Sequence, residues 1–297
     1  MESRIVKSWD DRIFDFINTA ILAIIMLMVL YPLIFIVSSS FSTSDQVFMG
    51  KVIFLPKNFT VMSYIKVFQD SSILTGYRNT ILYTSVGTFI NLVMNISAAY
   101  PLSRRTFKGR NAIMFFISFT MLFSGGLIPS YLLIRNLKLY DTFWVMVLPN
   151  ALSVVNIIIM RTYFQSTVPD ELFDSAFIDG CSNFRALFNI VLPLSKAVIA
   201  VIGMYYAVGH WNAYFSALIY IRSESRYPLQ LILRSILIQN SLSSEMVLSA
   251  ESFIEQASYA ETIKYSVIVV SSLPVLLIYP FIQKYFVKGV MIGAIKG

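Results

Sequence analysis

Few residues in this chain could support acid–base, nucleophilic or metal chemistry. Its 297 residues include one histidine, His210, and one cysteine, Cys181. A single cysteine can form neither an intramolecular disulfide nor a metal cluster. His210 has no second ligand at helical spacing. We therefore expect no catalytic residue, no metal site and no cofactor in this chain, and predict that it is not an enzyme.

The chain also offers no means of hydrolysing ATP. A phosphate-binding loop needs the pattern G-x-x-x-x-G-K followed by serine or threonine. The nearest approach is Gly50-Lys51, but Val52 follows it and Asp45 occupies the position of the first glycine. Any energy from ATP would have to come from another subunit.

The composition of the chain indicates what kind of structure holds these residues. Hydrophobic residues make up 57% of the chain and charged residues 13%, too few to give a soluble protein of this size a charged surface. The surplus apolar surface is expected to face lipid. The net charge of +7 is carried in short loops without a basic stripe, so nucleic acid is not an expected partner.

Six apolar segments are each long enough to cross a bilayer as a helix. They cover residues 15–38, 80–102, 112–134, 142–163, 197–221 and 264–286. The expected fold is an all-α membrane protein with about six transmembrane helices over 15–286, between an N-terminus 1–14 and a tail 287–297. We expect prolines and Gly125-Gly126 within the spans to serve helix packing and kinks, with gating hinges as the alternative.

Charge in the loops predicts the orientation. The segment 103–110 carries four basic residues and is expected in the cytoplasm. An even number of spans then places both termini in the cytoplasm of a bacterial inner-membrane protein. The long segments 39–74 and 222–263 are expected outside. Within the second, the apolar stretch 229–238 is too short to span and predicts an interfacial or docking helix.

The cytoplasmic loop 165–196 has a pattern of its own. Pro169-Asp170-Glu171 predicts a helix start, and Thr167 could cap it. Gly180 should end that helix, and Ser182 or Asn183 could cap a second one that breaks at Pro193. The loop is predicted to form a helix–glycine–helix elbow.

These residues resemble the EAA loop of ABC importer permeases. Asp174-Ser175-Ala176 occupies the EAA position, Gly180 the glycine position, and Ile190, Leu192 and Pro193 the ending. Segment 98–105 and Trp211-Asn212 are similar to maltose-type sugar permeases. Segments 123–129, 140–142 and 284–293 resemble a branch that imports complex oligosaccharides with lipoprotein binding proteins. The resemblance covers nearly the whole chain.

The resemblance implies a type I importer fold and a set of partners: a second homologous permease, two ATPase subunits that hold ATP and Mg²⁺, an extracellular solute-binding lipoprotein, and a carbohydrate substrate. It places ATPase coupling on the elbow, where an apolar helix face could enter a groove on the ATPase. Leu172 and Phe173 would be further anchors, and a solvated linker is the alternative. The expected coupling residues are Glu171, Asp174, Ala176, Phe177, Asp179 and Gly180.

Aromatic rings and amides in the fifth span could line a sugar path, because rings stack on sugars and amides bind hydroxyls. Helix packing is the alternative for each of them, and for His210 in particular. The five leading candidates are Tyr205, Tyr206, His210, Trp211 and Asn212. Further candidates are Tyr214 in the same span and Asn91, Asn95, Asn150 and Asn156 elsewhere.

Two other functions remain open at this stage. A self-sufficient secondary carrier or channel would need no ATPase, but such carriers place ionisable groups inside the membrane, and these spans have almost none. The other is a membrane scaffold without a transport role, which loss of uptake on altering Gly180 or Asp174, with the complex still assembled, would exclude.

Overall fold

The computed structural model describes residues 8–246, 263–281 and 283, with the backbone alone described for 239–246. Within them, every regular element is a helix. The chain divides into two compact units, Met1–Asp70 with Ser235–Ser272 and Ser71–Arg234 with Leu273–Gly297. The predicted tail 287–297 lies outside the described residues.

The first unit begins with three helices: α1 (Trp9–Ser40), α2 (Ser44–Phe48) and α3 (Met62–Gln69). Apolar side chains of α1 are exposed on all sides, and its buried residues are only Ser38, Ser39 and Ser40 at its end. A helix that is apolar all round and not covered by protein suits lipid. This helix contains the predicted first span, 15–38.

Hydroxyl groups join the end of α1 to the segment that follows it. Ser38 Oγ donates to the carbonyl of Phe54 at 2.6 Å. Ser63 Oγ donates to the carbonyl of Ser40 at 3.0 Å, and the hydroxyls of Ser40 and Tyr64 lie 2.7 Å apart. Within this unit, these bonds fix residues 38–64 as a compact cap on α1.

The second unit is built on α4 (Ser71–Ser103), a helix of 33 residues. One buried stripe runs along it at intervals of three or four residues, and its polar and small members include Gly76, Thr80, Gly87, Asn91 and Asn95. The faces that carry Leu82 and Phe89 are apolar and exposed. Small and polar residues inside with apolar residues outside are typical of helices that pack within a membrane.

The third and fourth predicted spans are interrupted. The range 112–134 forms α5 (Arg110–Phe119) and α6 (Leu127–Asn136). The interruption covers residues 120–126 and ends at Gly126, whose φ of +82° no helix interior allows. The range 142–163 holds a 3₁₀ turn, Phe143–Met146, and the start of α7 (Val154–Thr167). Pro149 lies in the gap, and it has no N–H with which to continue a helix.

The remaining helices follow in chain order. They are α8 (Asp170–Ile178), α9 (Asn183–Ala186), α10 (Leu192–Leu194), α11 (Lys196–Trp211), α12 (Phe215–Tyr220), α13 (Leu229–Met246) and α14 (Ile263–Phe281). Short 3₁₀ and π turns cover Glu224–Arg226 and Leu187–Val191. The predicted fifth span, 197–221, is thus divided between α11 and α12.

Three described helices, α1, α4 and α14, are long and apolar enough to cross a membrane. A bent pair, Asn183–Leu194 with Lys196–Trp211, would make a fourth crossing, with a bend of 83°. The predicted spans 112–134, 142–163 and 197–221 are not single continuous helices, because glycine, proline or a polar turn interrupts their backbone hydrogen bonds. The count of six crossings stays a prediction.

The stretch 229–238, expected to form an interfacial or docking helix, forms the start of α13. This helix extends to Met246, and its first turns are buried against α4. The Leu229 N–H donates to Thr80 Oγ1 at 2.8 Å. A Cβ on Gly76 would lie 2.5 Å from Ile232 Cδ1, so this glycine allows the two helices to approach closely. The start of α13 is therefore packed within protein.

Candidate functional site

Local sequence signals form the elbow between α7 and α11. Helix α8 begins after Pro169, with Asp170 and Glu171 in its first turn, where carboxylates stabilise the helix dipole. Thr167 does not cap it, because this residue ends α7 and its hydroxyl has no partner within the described structure. Gly180 has φ +76° and ends the helix. Ser182 caps α9 as expected, its Oγ accepting from the Arg185 N–H at 3.3 Å.

Arg104 and Phe173 fix α8 to the end of α4. The Phe173 side chain is 3% exposed, and the Arg104 guanidinium lies 3.2 Å from its ring centroid. Asp170 pairs with Arg105 at 3.2 Å and with Arg104 at 3.9 Å. Burial lowers the pKa of Arg104, whereas Tyr100, Asp170 and Asp174 act in the opposite direction. Phe173 was expected to anchor a partner, but it is an internal anchor of the chain's own core.

The other expected coupling residues lie together on the outside of the elbow. Glu171, Asp174, Phe177, Asp179 and Gly180 are exposed, and Ala176 is half-buried. Other exposed apolar side chains of the elbow include Ile178 and Phe184, which are 86% and 77% exposed. Sequence reasoning missed Ile178, although its position just before the turn at Gly180 could have indicated it.

A sharp bend connects the elbow to α11. The π turn Leu187–Val191 precedes Pro193, and the helix breaks at Ser195 with φ −106° and ψ 17°. Proline removes one backbone donor and clashes with the preceding turn, which favours such a wide turn. The break expected before the fifth span is present, but it falls at Ser195 and not at Pro193, which lies inside α10, and α11 leaves it at 83°.

Polar side chains bind α11 to α4 within the second unit. A ring nitrogen of His210 lies 2.7 Å from Asn91 Oδ1, and Asn91 Nδ2 donates to the carbonyl of Asn150 at 2.7 Å. Asn95 Nδ2 donates to the Tyr206 hydroxyl, which also accepts from the Ser153 N–H at 3.0 Å. These residues form the polar ladder: Asn91, Asn95, Asn150, Tyr206 and His210.

The five candidates for a sugar path divide into two groups. Tyr206, His210 and Trp211 are buried, the first two in the polar ladder. Tyr205 on α11 and Asn212, which directly follows the end of that helix, are exposed. These two have the exposure needed to meet a substrate, and a role for any of the five stays a prediction.

A second polar cluster holds the loop after α12. Asp141 accepts from the N–H groups of Arg222 and Ser223 at 3.1 and 3.0 Å and from Ser223 Oγ at 2.6 Å. Its carboxylate pairs with Arg226 at 3.1 Å. Burial opposes ionisation, but the bonds from Ser223 and Arg222 and the charge of Arg226 together lower the pKa of Asp141 to about 2. Asp141, Arg222, Ser223 and Arg226 form the clasp, and its carboxylate therefore keeps its charge at physiological pH.

Comparison with known proteins gives matches over nearly the whole chain. Protein LplC of Bacillus subtilis (strain 168) is 40% identical over 286 residues, which cover 96% of each chain. The polygalacturonan/rhamnogalacturonan transport system permease protein YtcP of the same organism is 39% identical over 288 residues, covering 97% of this chain and 99% of YtcP.

A solved structure is also similar in fold. It is the crystal structure of a bacterial ABC transporter involved in the import of the acidic polysaccharide alginate, matched with a TM-score of 0.85 and 35% sequence identity. The match covers 95% of this chain and 99% of that one. Residues 71–292 match the family described as binding-protein-dependent transport system inner membrane component. This chain belongs to that family of ABC transporter permeases.

Proposed function

We propose that the chain is one of two permease subunits of an ABC importer for oligosaccharides and forms half of the translocation pathway. The elbow carries the proposal, because its acidic and apolar face is exposed while Phe173 and Arg104 hold it to the chain's own core. The names of YtcP and of the alginate transporter support a carbohydrate substrate.

The attachment of the elbow to the core would let it transmit movement of an ATPase to the transmembrane helices. A groove on a cytoplasmic ATPase would receive Phe177 and Ile178, and basic groups there would pair with Glu171 and Asp174. When two ATPase subunits close on ATP, α8 would move as a rigid body. Because Phe173 is buried in a core shared with α4, α7 and α11, that movement would tilt these helices together.

The partners complete the working unit. We propose a second homologous permease, two ATPase subunits that bind ATP and Mg²⁺, and an extracellular lipoprotein that delivers substrate, with no cofactor bound by this chain itself. Both termini would lie in the cytoplasm, as the basic segment 103–110 favours.

A pull-down tests this assembly. The tagged chain would be purified from its native membrane in mild detergent, and the proteins that accompany it identified. We expect an ATPase, a second EAA-type permease and a lipoprotein. A chain that purifies alone would contradict the proposal. Asp174→Ala should abolish uptake with the complex intact, whereas a scaffold would tolerate the change.

A further inference from the structure

Four arginines converge on one cleft beside the elbow. The cleft has a volume of about 680 Å³, and its lining includes Arg104 and Arg105 after α4, Arg110 at the start of α5, and Arg161 on α7. Asp170 and Glu171 are the acids that line it. The lining thus carries two unbalanced positive charges. A positive-inside bias explains basic residues in this loop, but not their convergence on a cavity.

Among the four arginines, Arg110 gives the clearest indication that the cleft binds a ligand. Its Nη1 is buried and has no hydrogen-bond partner within the described part of the chain. Arg161 is oriented by a bond from its Nε to the Leu102 carbonyl at 2.9 Å, and no described acid lies within ion-pair distance of either side chain. A buried guanidinium nitrogen without a partner is unfavourable, so the cleft is suited to an anion.

An apolar groove continues along the same three helices. It has a volume of about 420 Å³ and is lined in part by Ala98 on α4, Phe116 and Ile117 on α5, and Ile157 on α7. Ile157 lies one turn from Arg161, and Phe116 lies six residues from Arg110, which is roughly 9 Å along a helix. The cationic cleft and the apolar groove are therefore neighbours.

We propose that this pair of cavities binds one anionic phospholipid, with its phosphodiester in the cleft and an acyl chain in the groove. The planar fork of arginine matches phosphate oxygens in a bidentate manner. The site lies where α4 ends and α5 begins, at the predicted cytoplasmic border of the membrane, where anionic headgroups are concentrated. The bound lipid would lie against Asp170, at the start of the elbow helix α8.

Lipid binding to the purified complex tests the proposal. Delipidated complex would be titrated with phosphatidylglycerol, phosphatidylcholine or inorganic phosphate and followed by native mass spectrometry and thermal unfolding. We expect saturable stabilisation by phosphatidylglycerol alone. Arg110→Gln should weaken that binding about tenfold, the effect of losing one hydrogen bond to a charged group. Arg161→Lys keeps the charge but loses the fork, and should weaken binding without unfolding the protein.

Lys108→Gln is the matched control. Lys108 lies in the same loop, is exposed, and does not line the cleft, so this change removes the same charge without touching the site. Equal weakening by Lys108→Gln, or equal binding of phosphatidylcholine, would overturn the proposal. Full stabilisation by inorganic phosphate would identify a free anion and overturn the lipid. Loss of the ATPase from the Arg110→Gln complex, with lipid binding absent from the unsubstituted complex, would assign the cleft to the subunit interface.

Discussion

Gly87 allows α4 to meet the His210 ring, and its replacement by alanine tests the polar ladder. A Cβ at this position would lie 2.4 Å from His210 Nε2 and 2.6 Å from Cε1. Both distances are far below van der Waals contact. The ring is buried and bonded to Asn91, so it cannot move aside without losing that bond.

The expected effect can be worked from these contacts. Alanine gains about 1 kcal/mol over glycine in a helix. Overpacking a buried contact costs about 1–3 kcal/mol, and an unsatisfied Asn91 carbonyl costs about 1–3 kcal/mol more. We therefore expect Gly87→Ala to destabilise the protein by roughly 3 kcal/mol. Gly209→Ala in α11 is the matched control, because no atom lies within 4 Å of its added Cβ, and it should be neutral or stabilising.

The assay is equilibrium unfolding of the purified protein in mixed micelles. The same Gly87→Ala change would be measured in a His210→Ala background, where the ring that causes the clash is absent. There its effect should fall to about zero or become stabilising. If Gly87→Ala is as stable as Gly209→Ala, or equally destabilising with and without the His210 ring, the account of this interface is wrong.

Three further substitutions test the elbow and the clasp. Phe173→Ala should lower unfolding stability by about 3–5 kcal/mol, because it empties a buried site and removes the ring beneath Arg104; a change under about 1 kcal/mol would contradict this packing. In Gly180→Ala the added Cβ meets no atom, but alanine at a φ of +76° costs about 1–2 kcal/mol in backbone strain. Because this strain falls on the turn of the elbow, we expect uptake to fall although the complex assembles. Gly109→Ala carries similar strain outside the elbow and should retain uptake; equal losses would contradict a coupling role. Asp141→Asn should speed tryptic cleavage after Arg226, measured by mass spectrometry, and an unchanged rate would show that the ion pair does not hold the loop.

Local signals were enough to predict the elbow helices. Pro169 with two acids started α8, Gly180 ended it, and Ser182 capped α9. Each signal acts within one turn of the residue that carries it, so a sequence alone displays it. Apolar runs likewise located the long helices α1, α4 and α14.

Contacts between distant residues could not be predicted. The bond between Asn91 and His210 joins positions 119 apart, and Arg104 reaches Phe173 across 69 residues. No periodicity encodes such pairs.

The breaks within the predicted spans could not be predicted from the sequence either. Hydropathy measures how apolar a segment is, but it does not say whether a proline or a glycine in a helical range kinks the helix or ends it. Pro101 lies inside the intact α4, whereas Pro149 lies in a break.

Transport by the reconstituted complex tests the central claim most directly. The complex purified with this chain would be placed in liposomes with ATP and Mg²⁺ inside and the substrate-loaded binding protein outside. We predict oligosaccharide uptake that requires both ATP and the binding protein and is lost with Asp174→Ala. Uptake by this chain alone, without ATP, would contradict the account and identify a self-sufficient carrier or channel.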